Sequence, residues 1–295
     1  MQLGSLIVSA DGIGIKRAVR KRGLPKSGIR IIPIGDLQYD GTNRSAWEDL
    51  EKLIKETAKS PDVYYIGMGD YLDVASPSNR ANYKAMVKYD SFNDALETQI
   101  EKHLEFVQKI LEPTRGRWLG LLQGHHYWEF STGGTSDERL ATFLKAPFLG
   151  DCAMIQVEFQ RTGKHRTPSF VLWCHHGEGG GDPMSKLIKL STAFEADLFL
   201  VGHNHVIASK RIERIQAIFG ELGAEPRLKF KNILLAATGS YLKGYMLNSK
   251  RDGRPQGGYV EKAMMTPVAL GNIVIQAIPF IDYNGHAGVE LKAIT

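Results

Sequence analysis

At 295 residues, 43% of them hydrophobic and 23% charged, the chain can bury a large core and is too apolar for a disordered polymer. Its two cysteines, Cys152 and Cys174, exclude a disulfide framework and fit a reducing compartment. Its net charge of +5 is mildly basic, and no run of about 18 apolar residues could span a bilayer. At the N-terminus the charges follow a weakly apolar stretch, the reverse of a secretory signal, so a cytoplasmic protein with no membrane partner is expected.

Residues 1–28 read as a basic extension carrying Lys16, Arg17, Arg20, Lys21, Arg22 and Lys26, with Arg30 just beyond. Such a segment would favour a phosphate-rich partner if it touched one, and is otherwise a solvated tail. The rest, 29–295, reads as one domain. A buried strand is expected at 29–35. A helix follows at 45–59, with Ser45 and Glu48 spaced as a capping box, and then a strand at 62–67. Residues 74–91 form a polar insert of no strong period, a loop or short helix over the site. Phe92, Leu96, Ile100, Leu104, Val107 and Leu111 recur at helical steps before Pro113, which predicts a long helix with one apolar face. Strand RWLGLLQ, a helix at 136–145, strands at 152–160 and 169–174, a helix at 184–194 and strand DLFLVGHNH complete an alternating α/β region. Beyond 205 the pattern becomes strand-rich, at about 206–216, 229–238, 259–265 and 271–281. Alternating β and α followed by mostly β predicts two sheets packed face to face with helices outside.

Five of these apolar runs end in ligand-type side chains: Asp36 with Gln38, Asp70 with Asp73, His125 with His126, His175 with His176, and His203 with His205. In an open α/β sheet ligands bind beyond the carboxyl ends of the strands, so five such endings predict one site. Carboxylate with imidazole suits borderline ions such as Mn2+, Fe2+, Zn2+ or Ni2+, and the lack of a thiolate points away from a structural zinc. Successive strand residues face opposite ways, so only one of His175 and His176 can ligate without a bend; His176, before Gly177, is the expected one.

The series GD-x-Q, GD-x-x-D, G-H-H, H-H-G and G-H-N-H resembles that of the calcineurin-like metallophosphoesterase superfamily, whose usual form is D-x-H, GD-x-x-[DN], GN-H-[DE], H-G and GH-x-H. The match runs in order from 36 to 205, and the tail more loosely resembles phage-type members. The resemblance implies a four-layer αββα sandwich of two mixed sheets flanked by helices, and two divalent ions, Mn2+ foremost, holding a hydroxide between them. It assigns Asp36 and His205 to the first metal, His125, His176 and His203 to the second, and Asp70 to both. His126 falls beside the scissile phosphate, as the acid or charge-stabilising group. Gln38 replaces the usual histidine and His125 the usual asparagine, which weakens the first position and strengthens the second. Asp73 stands where related purple acid phosphatases place a tyrosine ligand, so it is either a compensating ligand of the first metal or a residue behind the ligands.

The implied activity is hydrolysis of a phosphate ester, with a phosphodiester of nucleic acid or a nucleotide derivative favoured by the basic N-terminus and by Lys84, Lys88, Lys250, Arg251 and Arg254. A phosphomonoesterase, a nucleotide pyrophosphatase and a catalytically silent binding protein of the same fold are the alternatives. Tyr64, Tyr65, Tyr83, Tyr89 and Tyr127 could stack on bases or serve as packing, and Tyr241 and Tyr259 could line a substrate face or belong to the core.

Overall fold

In a computed structural model of the chain, residues 6–8, 13–20, 28–86, 89–159, 167–219, 225, 227–251, 254–282 and 286–295 are described. The elements in order are β1 (Leu6–Val8), β2 (Ile13–Arg20), β3 (Ile29–Ile34), α1 (Trp47–Thr57), β4 (Val63–Gly67), α2 (Pro77–Met86), α3 (Asp90–Leu111), β5 (Trp118–Leu122), α4 (Ser136–Phe143), β6 (Phe148–Gly150), β7 (Cys152–Glu158) and β8 (Ser169–His175). They continue with α5 (Pro183–Ala193), β9 (Leu198–Val201), β10 (Ile207–Ile218), β11 (Arg227–Ser240), β12 (Lys250–Arg251), β13 (Arg254–Pro255), α6 (Tyr259–Lys262), β14 (Gly271–Asn272), β15 (Val274–Ile281) and β16 (Ala287–Ile294).

Period-two alternation builds the layers. Leu198 and Leu200 of β9, with Leu172 and Cys174 of β8, face Ile29, Ile31, Tyr64 and Ile66 of the opposite sheet, and this is the inter-sheet core. The intervening Phe199, Val201 and Trp173 face outward onto Leu187 of α5. On the other side Ile32, Ile34, Tyr65 and Trp118 pack against Leu50, Ile54, Ile100, Leu104 and Leu140 of α1, α3 and α4. The result is a four-layer αββα sandwich of two mixed sheets, as expected. One sheet runs β1-β2-β7-β8-β9-β11-β10, with β14 beside β11; the other runs β16-β15-β3-β4-β5-β6. Strands β3, β4 and β5 are mutually parallel, as are β8 and β9, so their carboxyl ends deliver the five motifs to one edge.

Several expectations need correction. Part of the segment read as an extension enters the sheet: β2 pairs in parallel with β7 and antiparallel with β1. Ser45 caps nothing; its hydroxyl donates to Leu37 O at 2.6 Å, and helix α1 starts at Trp47 with Ala46 at the N-cap and no side-chain cap. The working capping box is Thr135 with Glu138 at α4. The polar insert is helical over α2. Phe92 lies exposed, because α3 meets the sheet only from about Ile100 onward. The expected strand at 259–265 is instead the short helix α6, and the run at 271–281 breaks at buried Ile273, where the chain passes from one sheet to the other. No helix among the described residues is long and apolar enough to cross a membrane.

Candidate metal centre

Asp36, Gln38, Asp70, His125, His126, His176, His203 and His205 follow the ends of β3, β4, β5, β8 and β9, where the ladders end, while His175 is the last residue of β8. Asp36, Gln38, Asp70, His203 and His205 all adopt positive φ, between 45° and 66°. Two glycines let the turns abut: a Cβ on Gly69 would meet Gly124 Cα and His176 Nδ1 at 2.7 Å, and one on Gly124 would meet Asp70 N and Oδ1 at 2.1 Å.

Asp70 is the centre of the arrangement. Its Oδ1 accepts from the main-chain N–H groups of His125 and His126, at 2.5 and 2.9 Å. Its Oδ2 faces His176 Nε2 at 3.3 Å and Gln38 Nε2 at 3.4 Å. One ligand atom from each of Asp70, His125, His176 and His203 lies within 4.8 Å of the others. The three imidazoles stand edge to face with centroids 4.7 to 5.3 Å apart. Asp36 lies alongside: its Oδ2 accepts from His203 N at 3.0 Å, and its Oδ1 stands 3.4 Å from His205 Nε2. Beside the cluster an open cavity of about 240 Å³ is lined by Gln123, His125, Asp151, His175, His176 and Glu178.

These residues fit a divalent cation. His176 Nδ1 bonds Met68 O at 2.7 Å, which fixes the tautomer and leaves Nε2 as the ligand atom. That Nε2 and Asp36 Oδ1 are both buried and lack a hydrogen-bond partner of proper geometry, a loss of about 1–3 kcal/mol each unless something else satisfies them. Burial would lower the affinity of His176 for a proton, but the Asp70 and Asp36 carboxylates and the Met68 carbonyl outweigh it and push the imidazole up to about 9. A metal ion would take the place of that proton. Burial, then the charges of His176 and His125, push His203 down to about 4, the neutral state a ligand needs. Burial and His176 also lower His125.

Of the remaining expected residues, Gln38 reaches the site but presents its amide nitrogen to Asp70. Asp73 does not join the cluster; its Oδ1 holds His126 Nδ1 at 2.7 Å, which favours the reading of a residue behind the ligands over a compensating ligand. Burial works against protonation of His126, but the Asp73 bond and the charges of Asp70 and Asp73 leave its affinity raised overall. His175 turns to the opposite face from His176, stacks on Trp173 with centroids 6.0 Å apart, and accepts from Gly177 N. Tyr64, Tyr65 and Tyr241 are buried, and Tyr241 donates its hydroxyl to Asn272. Lys84 is tied to Glu129, whereas Lys250 and Arg254 are exposed; Lys88 and the side chains of Arg251 and Tyr259 lie outside the described residues.

Two residues escaped the sequence reading. Asp137, fully buried on α4, accepts from Gly124 N and from Ser136 Oγ. Arg80, on α2, donates to the carbonyls of the His125 loop. Asp137 lies two residues past Thr135, where an acidic residue in a first helical turn looks like ordinary dipole pairing; Arg80 and Lys84 share one helix face at i, i+4, the signal that could have shown how the insert docks.

Fold and site together define a protein of the metallophosphoesterase fold with a candidate metal centre at its strand ends. No protein-family model matches the chain, and no curated protein matches it in sequence. Among solved structures it is similar to Vacuolar Protein Sorting 29 from Cryptosporidium parvum, at 14% identity over 91% of this chain and 98% of that one, with a TM-score of 0.34. It is also similar to Vps29 from Chaetomium thermophilum (10% identity, 91% and 96% covered, TM-score 0.34) and to Vps29 complexed with Zn2+ from Entamoeba histolytica (10%, 90% and 98%, TM-score 0.40). These overlaps are loose, and the reading of the site rests on its geometry.

Proposed function

We propose that this chain is a metal-dependent phosphoesterase that hydrolyses phosphodiesters, with nucleic acid or a nucleotide derivative as the substrate class and two divalent ions, Mn2+ foremost, as cofactors. The observation that carries the reading is the convergence of Asp70, His125, His176 and His203 on one point, with His176 Nε2 and Asp36 Oδ1 buried and bare. Those four residues would hold one ion; Asp36, His205 and the Gln38 amide, with Asp70 shared, would hold the other. When bound, paired ions neutralise charge on the phosphoryl oxygens and supply an acidified water at neutral pH.

The chain's own part is positioning and proton transfer. Asp70 fixes the His125–His126 main chain through its Oδ1, so the carboxylate that would help hold the ions also sets where His126 begins. With Nδ1 on Asp73, His126 keeps Nε2 for the substrate, and the Asp73 bond with the Asp70 and Asp73 charges raises its proton affinity, which favours the proton-donating form. It can then donate to the departing oxygen or to a phosphoryl oxygen. Support for a diester over a monoester comes from the chain's basic charge and from the exposed Lys250 and Arg254.

The test is turnover of a synthetic diester and the matching monoester by metal-stripped protein reloaded with Mn2+, with Asp70→Asn as the blank. Diester turnover absent from the variant is expected. Monoester preference would overturn the substrate class, and no turnover with any divalent metal would favour a silent binding protein, the reading to which the Gln38 amide nitrogen facing Asp70 gives weight.

A further inference from the structure

The main-chain groups of His125 and His126 are all hydrogen-bonded, and one side chain from the polar insert holds two carbonyls of this loop. The Gly124 N–H goes to Asp137, those of His125 and His126 to Asp70, and that of Trp128 to Ser136. On the carbonyl side, Val74 N donates to His126 O, while Arg80 Nη1 donates to His125 O at 3.2 Å, Tyr127 O at 2.6 Å and Ala75 O at 3.3 Å. Arg80 is 8% exposed, and its guanidinium lies over the Tyr127 ring at 3.8 Å. Among the described residues no carboxylate lies within ion-pair distance of it. A buried cation with no carboxylate in direct contact is costly, so the carbonyl dipoles and the ring face must compensate it, with the charge of Glu129 further off. Lys84, one turn further along the same face of α2, pairs with Glu129 at the far end of the loop. The insert is therefore docked by two cations at i, i+4 in place of an apolar stripe, which is why its sequence shows no hydrophobic period.

We propose that Arg80 is a positioning residue of the metal centre: by pinning the carbonyls on both sides of His126, it fixes the direction in which His125 presents its imidazole and couples helix α2 to metal affinity. This rests on the metal-centre reading above. His125 comes from an irregular loop with no strand ladder to hold it, and the plane of its peptide sets where its ring can reach. Without Arg80 the loop would keep its N–H anchors but lose two of its three carbonyl anchors, leaving those peptide planes free to rotate. The ligand set would then lose its fourth member, while Asp70, His176 and His203 stayed where β4, β8 and β9 put them.

The experiment is Co2+ titration of the metal-free full chain, followed by visible absorption and by calorimetry, for the parent, Arg80→Met, Arg80→Lys and Lys84→Ala. Arg80→Met removes the donors at similar length and should weaken the tighter equivalent at least tenfold, with altered absorption as imidazole ligation is lost. Arg80→Lys keeps a multivalent donor and should recover affinity to within about threefold of the parent. Lys84→Ala removes only an exposed pair and should change affinity less than twofold. A folded Arg80→Met that binds Co2+ as the parent does overturns the proposal, as does Lys84→Ala matching its loss. If Arg80→Met fails to fold, Tyr127→Leu decides, since it removes the ring that orients the guanidinium: weakened binding supports the proposal and parental binding overturns it. A parent that binds no metal would overturn the proposed function itself, and this inference with it.

Discussion

Replacing Asp137 with asparagine tests how the floor of the site is built. The carboxylate is fully buried and accepts from Gly124 N at 3.0 Å and Ser136 Oγ at 3.1 Å. Burial pushes its carboxyl up to about 7 from an ordinary 3.8; the Gly124 bond pulls the other way, and the Asp70 charge adds to the rise. The native state thus holds this proton more tightly than the unfolded chain does. The stability it contributes is full below about pH 4 and is lost as the pH rises through 7. Roughly three pK units at about 1.4 kcal/mol each set a ceiling of about 4 kcal/mol, of which about 2–3 kcal/mol falls between about pH 5 and about pH 8.5. With Asp137→Asn the side chain stays neutral throughout, its oxygen still accepting from Gly124 and its amide donating to Ser136. Urea unfolding of the metal-free parent and variant at both pH values should show the variant gaining on the parent by that amount at the higher pH. The difference between the two curves cancels much of the titration of the imidazoles nearby. Parallel stability curves would refute the reasoning, since Asp137 would then have the same proton affinity folded and unfolded.

Three further substitutions probe other parts of the chain. Asp73→Asn removes the carboxylate that raises the proton affinity of His126, so diester turnover should fall by about 10–100-fold and the alkaline limb of its pH profile should move to lower pH, while metal content measured by elemental analysis stays unchanged. Trp118→Ala empties a fully buried site whose indole also donates to Thr114 Oγ1, and should cost about 3–5 kcal/mol in a denaturant titration without changing the number of metals bound. Gln38→His offers an imidazole where an amide now stands, and calorimetry should show the weaker metal equivalent tightening while the stronger one, which does not use this residue, holds its affinity.

The sandwich was legible because its signals are local and redundant. Apolar runs of strand length, the helical spacing in α3 and the shift from alternating to strand-rich grammar each point to the same layers. The site was legible as a set of strand ends, and the alternation of β8 separates His176 from His175, because strand geometry leaves one of two neighbours facing inward. What the sequence did not disclose were long-range hydrogen bonds. Ser45 has the spacing of a cap, yet Leu37 O, brought near by the turn after β3, competes for its hydroxyl. For Asp73 the sequence left two readings open, and the loop after β5 brings His126 Nδ1 within 2.7 Å of its Oδ1, a contact no local spacing discloses. In each case a polar side chain satisfied a main-chain group or an imidazole that only the fold could bring to it.

The backbone at the site bears on how metals would bind. Of the eight non-glycine residues with positive φ among the described residues, five are Asp36, Gln38, Asp70, His203 and His205. Each such conformation costs on the order of 1 kcal/mol, so their concentration here has to be held by something already present without an ion. The hydrogen bonds supply it: Asp36 N to Gly69 O at 2.9 Å, Gln38 N to Asp70 O at 2.9 Å, Tyr241 N and Ser240 Oγ to Asp36 O at 3.1 and 3.0 Å, and His203 N to Asp36 Oδ2 at 3.0 Å. These bonds lock the turns after β3, β4 and β9 to one another across both sheets, so the ligands converge by the fold's own bonding. Metal should therefore enter a preformed site. Loading with Mn2+ should raise the melting temperature in proportion to the logarithm of metal concentration, with no change in far-ultraviolet circular dichroism. Helix or strand content that rose on loading would mean that the ion organises these turns, and that the strained backbone is a consequence of binding in place of its preparation.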